Sequence, residues 1–370
     1  MKIKFLDFER EYDLLGREVE SLTSSIIKKG SFILGSELKE FEEQFASYCG
    51  VKYAVGVNSG TDALYLSLLS LGIKEGDEVI VPAFTYIATA MAVSYTGAKP
   101  IFCDIDEIDF NIDIEDIKRK LTPRTKAIIP VHLYGQPANM SAILDFASEN
   151  NIRVVEDAAQ AHGGAISVKG DLRKVGSLSD LGCFSFYPTK NLGCYGDGGI
   201  AVTGSDILYE KLLKLRDYGR ESKYSHLMLG YNSRLDTLQA AVLSIKLKYL
   251  DQWNDRRREL GHYYNEALKG VTEVITPFEK DGLKHVYHVY VLRVKEREKL
   301  IEHLSSNGIP SIIHYPIPCH LQRVYKSSIN SRGLAPVSER LSHEVLSLPL
   351  NPFLGEAEID YIVSKIKDFY

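Results

Sequence analysis

The sequence contains few cysteines, and none of them forms a Cys-x-x-Cys pair. There are five in 370 residues, at Cys49, Cys103, Cys183, Cys194 and Cys319. An odd number of cysteines without paired or metal-type spacing argues against a disulfide framework and against a zinc site. We therefore expect no metal centre and a reducing, cytoplasmic environment.

Long apolar runs and an excess of basic charge are also missing. No stretch approaches the roughly 18 uninterrupted apolar residues of a membrane span, and residues 1–7 lack the apolar region of a signal peptide. The net charge is −5 and no basic patch dominates, so nucleic acid is not an expected partner. The arginines at 256–258 predict the solvated side of a helix. We expect a soluble protein without internal repeats, not bound to membranes.

The apolar content is high enough for a large core. Hydrophobic residues make up 45% of the chain, which at this length predicts two domains. Apolar runs at 78–81, 99–102, 126–131 and 152–156 are separated by helical patterns such as 139–150. This alternation is typical of βαβ units, so the sequence predicts an α/β fold with a mostly parallel sheet.

The pattern changes in the last third of the chain. Residues 234–269 have helical periodicity, and residues 286–293 alternate like a strand. We therefore predict a large domain over 1–250 and a smaller C-terminal domain over 251–370.

Lys190 lies between an apolar run that ends at Tyr187 and a glycine-rich turn at 193–199. A lysine at the mouth of a packed core loses its proton readily, because burial disfavours the ammonium. A neutral amine can form a Schiff base with a carbonyl group. Lys190 is thus the candidate Schiff-base lysine; the alternative is a solvated loop lysine.

Asp157 follows a short apolar run at 152–155. Such a run predicts a buried strand, and open α/β sheets bind ligands at the carboxyl ends of their strands. An aspartate in that place can hold a proton on a heteroaromatic nitrogen, as the pyridine ring of pyridoxal phosphate requires. The alternative is that Asp157 caps a helix.

Residues 55–69 have the pattern of a strand, a small polar turn and a helix. Gly60 and Thr61 stand where the helix would begin, and the first amides of a helix favour a phosphate. Asn58 or Ser59 could instead simply cap the helix.

Together with segments 82–86 (Pro-Ala-Phe-Thr-Tyr) and 230–241 (Gly-Tyr-Asn-Ser-Arg onward), these motifs resemble the sugar aminotransferases of the DegT/DnrJ/EryC1/StrS family. The motifs follow one another in the same order along nearly the whole chain. The resemblance implies a fold type I enzyme dependent on pyridoxal phosphate, with a large α/β domain, a smaller C-terminal α+β domain, and active sites shared within a homodimer.

The resemblance also implies a role for each matched residue. For the cofactor these are Lys190 as Schiff-base lysine, Asp157 at the pyridine nitrogen, Gln160 near the ring hydroxyl, Tyr86 stacked on the ring, Gly60, Thr61 and Ser185 at the phosphate, and Asn232 from the partner chain. For the substrate they are Tyr187, His314 and Tyr315 at the hexose and Lys223 across the dimer interface. A tyrosine or histidine in a proline-rich loop could equally be a packed surface residue.

Family enzymes generally move an amino group from glutamate to a nucleotide-linked keto-sugar. Tyr187 and Asp197 match the subgroup that aminates carbon 3, because the enzymes that act at carbon 4 more often differ at these two positions. The resemblance therefore implies a 3-keto-6-deoxyhexose linked to thymidine diphosphate.

Two other interpretations stay open. The chain could aminate a different ketone, such as a 4-keto-sugar, a cyclitol or an aminohydroxybenzoate precursor. It could also have lost catalysis and act as a binding or regulatory subunit. Related dehydratases resemble this pattern with histidine at the position of Lys190, which argues against that activity.

Overall fold

A seven-stranded sheet forms the centre of the structure, a computed structural model that describes residues 3–168, 170–326 and 333–370. The strands are β1 Tyr53–Val57, β2 Glu78–Pro82, β3 Lys99–Cys103, β4 Thr125–Ile128, β5 Arg153–Asp157, β6 Ala165–Val168, β7 Asp171–Lys174, β8 Leu181–Ser185, β9 Gly199–Thr203, β10 Arg220–Ser222, β11 Ser225–His226, β12 Val274–Ile275, β13 Leu283–Lys284, β14 Tyr290–Val294 and β15 Val345–Leu348. The helices are α1 Phe8–Lys29, α2 Ser36–Cys49, α3 Gly60–Ser70, α4 Ala88–Tyr95, α5 Ile114–Lys120, α6 Met140–Glu149, α7 Asp206–Arg216, α8 Thr237–Leu247, α9 Leu250–Ala267, α10 Arg297–Ser306, α11 Arg323–Lys326, α12 Pro336–Leu341 and α13 Glu356–Phe369.

The central sheet is mostly parallel. Its order is β1, β9, β8, β5, β4, β2, β3. The five strands from β8 to β3 run parallel, whereas β9 pairs antiparallel with both β1 and β8. The predicted α/β fold with a mostly parallel sheet is confirmed.

Both faces of the sheet are buried under helices, which explains why its strands are apolar runs without alternation. Val55 and Cys183 belong to the buried cluster that contains the apolar side of α3. Ala54 and Phe184, one residue away along the same strands, pack in a different cluster with α2 and α8. Successive side chains of a strand point to opposite faces, so each strand contributes to two cores.

A separate core lies towards the C-terminus. The sheet β12, β14, β15 packs with α9, α10 and α13 around Tyr264, Tyr290 and Leu348. The predicted helical region is confirmed as α8 and α9, and α9 begins at Leu250. The division into domains at residue 250 stays a prediction.

Two details differ from the sequence expectations. The strand predicted over 286–293 begins only at Tyr290, because the amides of Val286 and His288 bond instead to the carbonyls of Gly135 and Tyr134. The prediction of a solvated arginine cluster is wrong for Arg257, which is buried and donates to the carbonyl of Leu350 at 2.7 Å.

None of the helices within the described residues is both long and apolar enough to cross a membrane.

Candidate active site

A cavity of about 430 Å³ opens where β5 and β8 end and α3 begins. This is the carboxyl edge of the parallel part of the sheet, where α/β folds bind ligands. Its volume suits a cofactor together with a small substrate. The cavity is lined by Ser59, Gly60, Thr61, Leu64, Thr85, Tyr86, Ala88, Thr89, Val131, Asp157, Ala159, Gln160, Ser185, Tyr187, Thr189, Lys190, Asp197, Gly198, His288, His314 and Tyr315.

Asp157 is the last residue of β5 and is buried. The hydroxyl of Thr89 donates to its Oδ2 at 2.8 Å, and the amide of Ala159 donates to its Oδ1 at 3.2 Å. Burial raises the pKa of the Asp157 carboxyl, and these two hydrogen bonds oppose the shift only in part. A buried carboxylate in this state is stabilised by a positive partner. Within the described residues no helix starts directly after Asp157, so Asp157 does not cap one.

Lys190 lies in the turn after β8, partly buried, on the wall of the same cavity. Burial lowers its pKa to about 8, while the neighbouring Asp157 carboxylate opposes the shift. At neutral pH roughly a tenth of this amine is therefore unprotonated, whereas an ordinary lysine is almost entirely charged. The structure places Lys190 in a cavity and not on a solvated loop.

The start of α3 forms one end of the cavity. Ser59 caps the helix, since its hydroxyl accepts from the Asp62 amide at 3.1 Å. The first amides of a helix have no partner within it, so those of Gly60 and Thr61 are available to an anion. A Cβ on Gly60 would lie 2.6 Å from Cβ of Ser185, which shows how closely the two segments approach. The structure thus brings together Gly60, Thr61 and Ser185, as predicted. Ser59 caps the helix beside them.

Gln160 is held by two neighbours. Its Oε1 accepts from the Tyr134 amide at 2.8 Å, and its Nε2 donates to the Tyr315 hydroxyl at 2.8 Å. The hydroxyl of Tyr134 donates to the carbonyl of His314. The loop that carries His314 and Tyr315 is therefore tied to the wall beside Asp157.

Two exposed tyrosines stand at the cavity. Tyr86 has 58% of its surface exposed, with its ring centroid 6.0 Å from that of Tyr315, and Tyr187 is exposed to a similar degree. His314 completes this side, its Nδ1 lying 2.8 Å from Oγ of Ser347. Burial and the positive charge of Lys190 lower the pKa of His314 to about 4.

Asn232 and Lys223 are not among the described residues that line the cavity of their own chain. Asn232 pairs with Asp217 in an isolated bridge. Lys223 is exposed between β10 and β11, near the Tyr224 ring. The expected role of both residues across a subunit interface stays a prediction.

Sequence reasoning missed several lining residues, among them Thr85, Thr89 and His288. Thr85 and Thr89 are four residues apart and their hydroxyls lie 3.2 Å from each other, a helical spacing that could have indicated a shared face. The sequence around His288 gives no such signal, because its alternating pattern predicts an ordinary strand over 286–293.

The arrangement fits pyridoxal phosphate. The buried Asp157 carboxylate accepts from two neutral donors and has a raised pKa, the Lys190 amine has a lowered pKa, and the α3 amides suit a phosphate. These are the groups that a protonated pyridine nitrogen, an aldehyde and a phosphate would each need.

Curated relatives align over the whole chain. A dTDP-3-amino-3,6-dideoxy-alpha-D-galactopyranose transaminase of Aneurinibacillus thermoaerophilus is 45% identical over 99% of both chains. A dTDP-3-amino-3,4,6-trideoxy-alpha-D-glucose transaminase of Streptomyces venezuelae is 43% identical over 100% of this chain and 96% of its own. A Geobacillus stearothermophilus relative named pleiotropic regulatory protein is also 43% identical, over 100% of this chain and 99% of its own.

Solved structures of similar proteins superpose closely on this chain. DesV of S. venezuelae, in complex with a ketimine intermediate, superposes with a TM-score of 0.96 at 43% identity, covering 100% of this chain and 98% of that one. NtdA of Bacillus subtilis, with bound cofactor PMP, gives 0.92 at 31% identity, covering 99% and 85%.

The family profile described as "DegT/DnrJ/EryC1/StrS aminotransferase family" matches residues 14–367. The predicted resemblance and cofactor are confirmed. The chain belongs to this family of aminotransferases, which depend on pyridoxal phosphate.

Proposed function

We propose that the enzyme transfers the amino group of L-glutamate to a 3-keto-6-deoxyhexose linked to thymidine diphosphate. The observation that carries the chemistry is the cavity in which the Lys190 amine and the Asp157 carboxylate meet the first amides of α3. The substrate class is supported by two relatives whose names specify 3-amino sugars on thymidine diphosphate. Tyr187 and Asp197, the two positions that suggested amination at carbon 3, both line the cavity.

Lys190 is the proposed proton carrier. When bound, pyridoxal phosphate supplies the electron sink for breaking a C–H bond next to the amine. With a pKa near 8, the Nζ of Lys190 can take that proton at neutral pH and deliver it to the carbon that joins the amine to the cofactor. In the sugar half-reaction the same Nζ would move a proton in the opposite direction, onto the sugar carbon that receives the amine. Because one group performs both transfers from one wall of the cavity, the new amino carbon receives its proton on a single face.

Asp157 is the proposed partner of the protonated ring nitrogen. Thr89 and Ala159 each donate one hydrogen bond to the carboxylate, which orients it without neutralising it. Gln160, held by Tyr134 and Tyr315, lies next to it in the wall and is proposed to face the ring hydroxyl.

Tyr86 is proposed to stack on the cofactor ring, and Tyr187, His314 and Tyr315 to contact the hexose. All four line the cavity. The two exposed tyrosines have the solvent-facing positions that a large nucleotide-sugar would cover.

We propose a homodimer with shared sites because the cavity has few positive charges for the anionic groups that would bind in it. Of the described residues that line the cavity, Lys190 is the only lysine or arginine, whereas Asp157 and Asp197 are carboxylates. A phosphate carries about two negative charges, and glutamate and the sugar diphosphate add more. We propose that a partner subunit supplies further donors, Asn232 as a neutral hydrogen-bond donor and Lys223 as a positive charge.

The exposed apolar residues near these groups suit a subunit interface. Tyr224 is 85% exposed and Leu229 is 90% exposed, with Leu227 and Met228 also exposed between them. Contiguous exposed apolar side chains mark interaction surfaces.

The test is incubation with L-glutamate and thymidine-diphosphate 3-keto-6-deoxyhexoses of gluco and galacto configuration. The amino sugar is then identified by mass and by sugar NMR, with the corresponding 4-keto-sugars as controls. Amination of the 3-keto-sugars supports the proposal, and amination of the 4-keto-sugars alone overturns it.

A regulatory role is the second candidate, because one relative carries a regulatory name. The complete set of Lys190, Asp157, Gln160 and the α3 turn in one cavity favours catalysis. An absorbance spectrum separates the two, since the enzyme should be yellow with bound cofactor and a chain that does not bind it should be colourless.

We also propose a reducing, cytoplasmic location, because the five cysteines are unpaired and buried.

A further inference from the structure

His288 lines the cavity, and its hydrogen bonds determine which ring nitrogen carries the proton. The residue is partly buried just before β14. Its Nδ1 lies 3.2 Å from Oδ1 of Asn191, the residue that follows Lys190 in the chain. The direction of this hydrogen bond depends on how the Asn191 amide is oriented.

Two backbone carbonyls fix that orientation. Nδ2 of Asn191 lies 3.0 Å from the carbonyl oxygen of Val286, which can only accept, so this atom must be the nitrogen. The same Nδ2 donates to Oδ1 of Asn254 at 2.8 Å, and Nδ2 of Asn254 donates to the carbonyl of His162 at 2.7 Å. The second carbonyl fixes Asn254 independently, and both give Asn191 the same orientation.

The remaining Asn191 atom is therefore an oxygen that can only accept, so Nδ1 of His288 carries a hydrogen. Burial and the positive charge of Lys190 hold the pKa of His288 well below its usual range, which keeps the ring neutral. A neutral imidazole protonated at Nδ1 has a lone pair at Nε2. Because Nδ1 is directed at Asn191, the Nε2 edge is the one left for the cavity.

We propose that Nε2 of His288 accepts a hydrogen bond from a hydroxyl of the keto-sugar, which makes His288 a specificity-determining residue. This inference rests on the proposed function. Glutamate presents two carboxylates, whose oxygens would meet the lone pair unfavourably, and an amino group that is consumed by the reaction. The hexose presents hydroxyls, which can donate. His288 therefore serves the sugar half of the reaction and not the glutamate half.

Two variants of His288 distinguish the role of Nδ1 from that of Nε2. In His288→Asn, the side-chain amide reaches about as far as Nδ1, so it can still bond to Asn191 while the acceptor at Nε2 is lost. In His288→Gln, the longer amide places an oxygen near the position of Nε2. Each half-reaction is followed by the absorbance of the bound cofactor, first with L-glutamate and then with the thymidine-diphosphate 3-keto-sugar.

We expect His288→Asn to lower kcat/KM for the keto-sugar about tenfold, the loss typical of one buried hydrogen bond. The glutamate half-reaction should stay within about twofold, and His288→Gln should recover most of the sugar half-reaction. Equal losses in both half-reactions would mean a merely structural role and overturn the proposal, as would an unchanged sugar half-reaction in His288→Asn.

A second readout does not depend on turnover. In the full-length protein labelled with 15N-histidine, the His288 signals are assigned by their disappearance in His288→Gln. We expect a protonated Nδ1 and an unprotonated Nε2 between pH 6 and 8. A proton on Nε2, or a charged ring at pH 7, overturns the inference. Failure of the proposed function would look different, because the wild-type enzyme would then leave the keto-sugar unconsumed.

Discussion

At the scale of single residues, the chemistry depends on what burial does to two ionisable groups. It lowers the pKa of Lys190 and raises that of Asp157. Each group is thereby less stable in its charged form, and each is prepared for a partner that the cofactor provides.

Lys190→Ala should abolish turnover while the protein still folds. No other lysine or arginine among the described lining residues can replace the amine, so we expect a loss of at least about a thousandfold in kcat. Steady-state kinetics measure the loss, and Lys99→Ala, at an exposed lysine, is the control. Activity above about a tenth of wild type would show that Lys190 is misassigned.

The lowered pKa of Lys190 predicts how the apoenzyme takes up pyridoxal phosphate as pH changes. Only the neutral amine attacks an aldehyde. The rate at which Lys190 forms a Schiff base with the cofactor should therefore rise with pH and reach half its maximum near pH 8. The rate is followed by absorbance, with a lysine peptide as the reference for the cofactor's own ionisation. A midpoint near that of the peptide would contradict the proposed environment.

Asp157→Asn keeps the shape of the side chain and removes its charge. The cofactor should still bind with a shifted absorbance band, and the glutamate half-reaction should slow at least about a hundredfold. Thr89→Val is the matched control, since it removes one hydrogen bond to Asp157 and leaves the carboxylate. We expect it to lose much less, and equal rates for Asp157→Asn and wild type would exclude the role at the ring nitrogen.

At the scale of elements, the site depends on how closely α3 approaches the end of β8. Gly60 is the first residue of α3, and its backbone is packed against Ser185. A larger residue would separate the two segments that are proposed to hold the phosphate.

Gly60→Ala should therefore weaken cofactor binding and lower stability by about 1–3 kcal/mol, the usual cost of overpacking. Denaturant unfolding and cofactor titration measure both effects. Gly204→Ala is the matched control, because Gly204 precedes the N-cap of α7 but has open space where its Cβ would stand. If the two variants behaved alike, close packing at Gly60 would not matter.

At the scale of the whole molecule, the proposed shared site can be tested by mixing inactive chains. Lys190→Ala combined with Asn232→Asp should regain activity, because each heterodimer then has one site with both lesions and one with neither. For free exchange in a symmetric dimer the recovery should approach about a quarter of wild type.

The control mixture is Lys190→Ala with Asp157→Asn. Both residues line the same cavity of one chain, so every site keeps a lesion and no recovery is expected. Recovery in the control, or its absence with Asn232→Asp, would contradict sharing across the interface. A monomer at working concentration would do the same.

The predicted domain boundary at residue 250 also belongs to this scale. The C-terminal core is built almost entirely from residues 260–366, with Ile3 as its contribution from the N-terminus. Limited proteolysis that releases a fragment near residue 250 would support the division.

The sequence by itself determined the parts of this protein that local patterns control. Apolar runs without alternation indicated strands buried on both faces, and Lys190, Asp157 and the Gly60 turn each stood next to such a run. A strand's hydrophobicity and a turn's composition are read over a few residues, so these features could be predicted.

The tertiary structure alone decided how those parts meet. Gly60 is packed so closely against Ser185 that an added Cβ would lie 2.6 Å from Cβ of Ser185. Thr89 donates a hydrogen bond to Asp157, and His288 donates one to Asn191. Each of these contacts joins residues far apart in the chain. Arg257 is buried for the same reason: its partner, the carbonyl of Leu350, is 93 residues away. Burial and pKa shifts depend on such distant neighbours, because desolvation is set by everything packed around a group and not by its position in the chain.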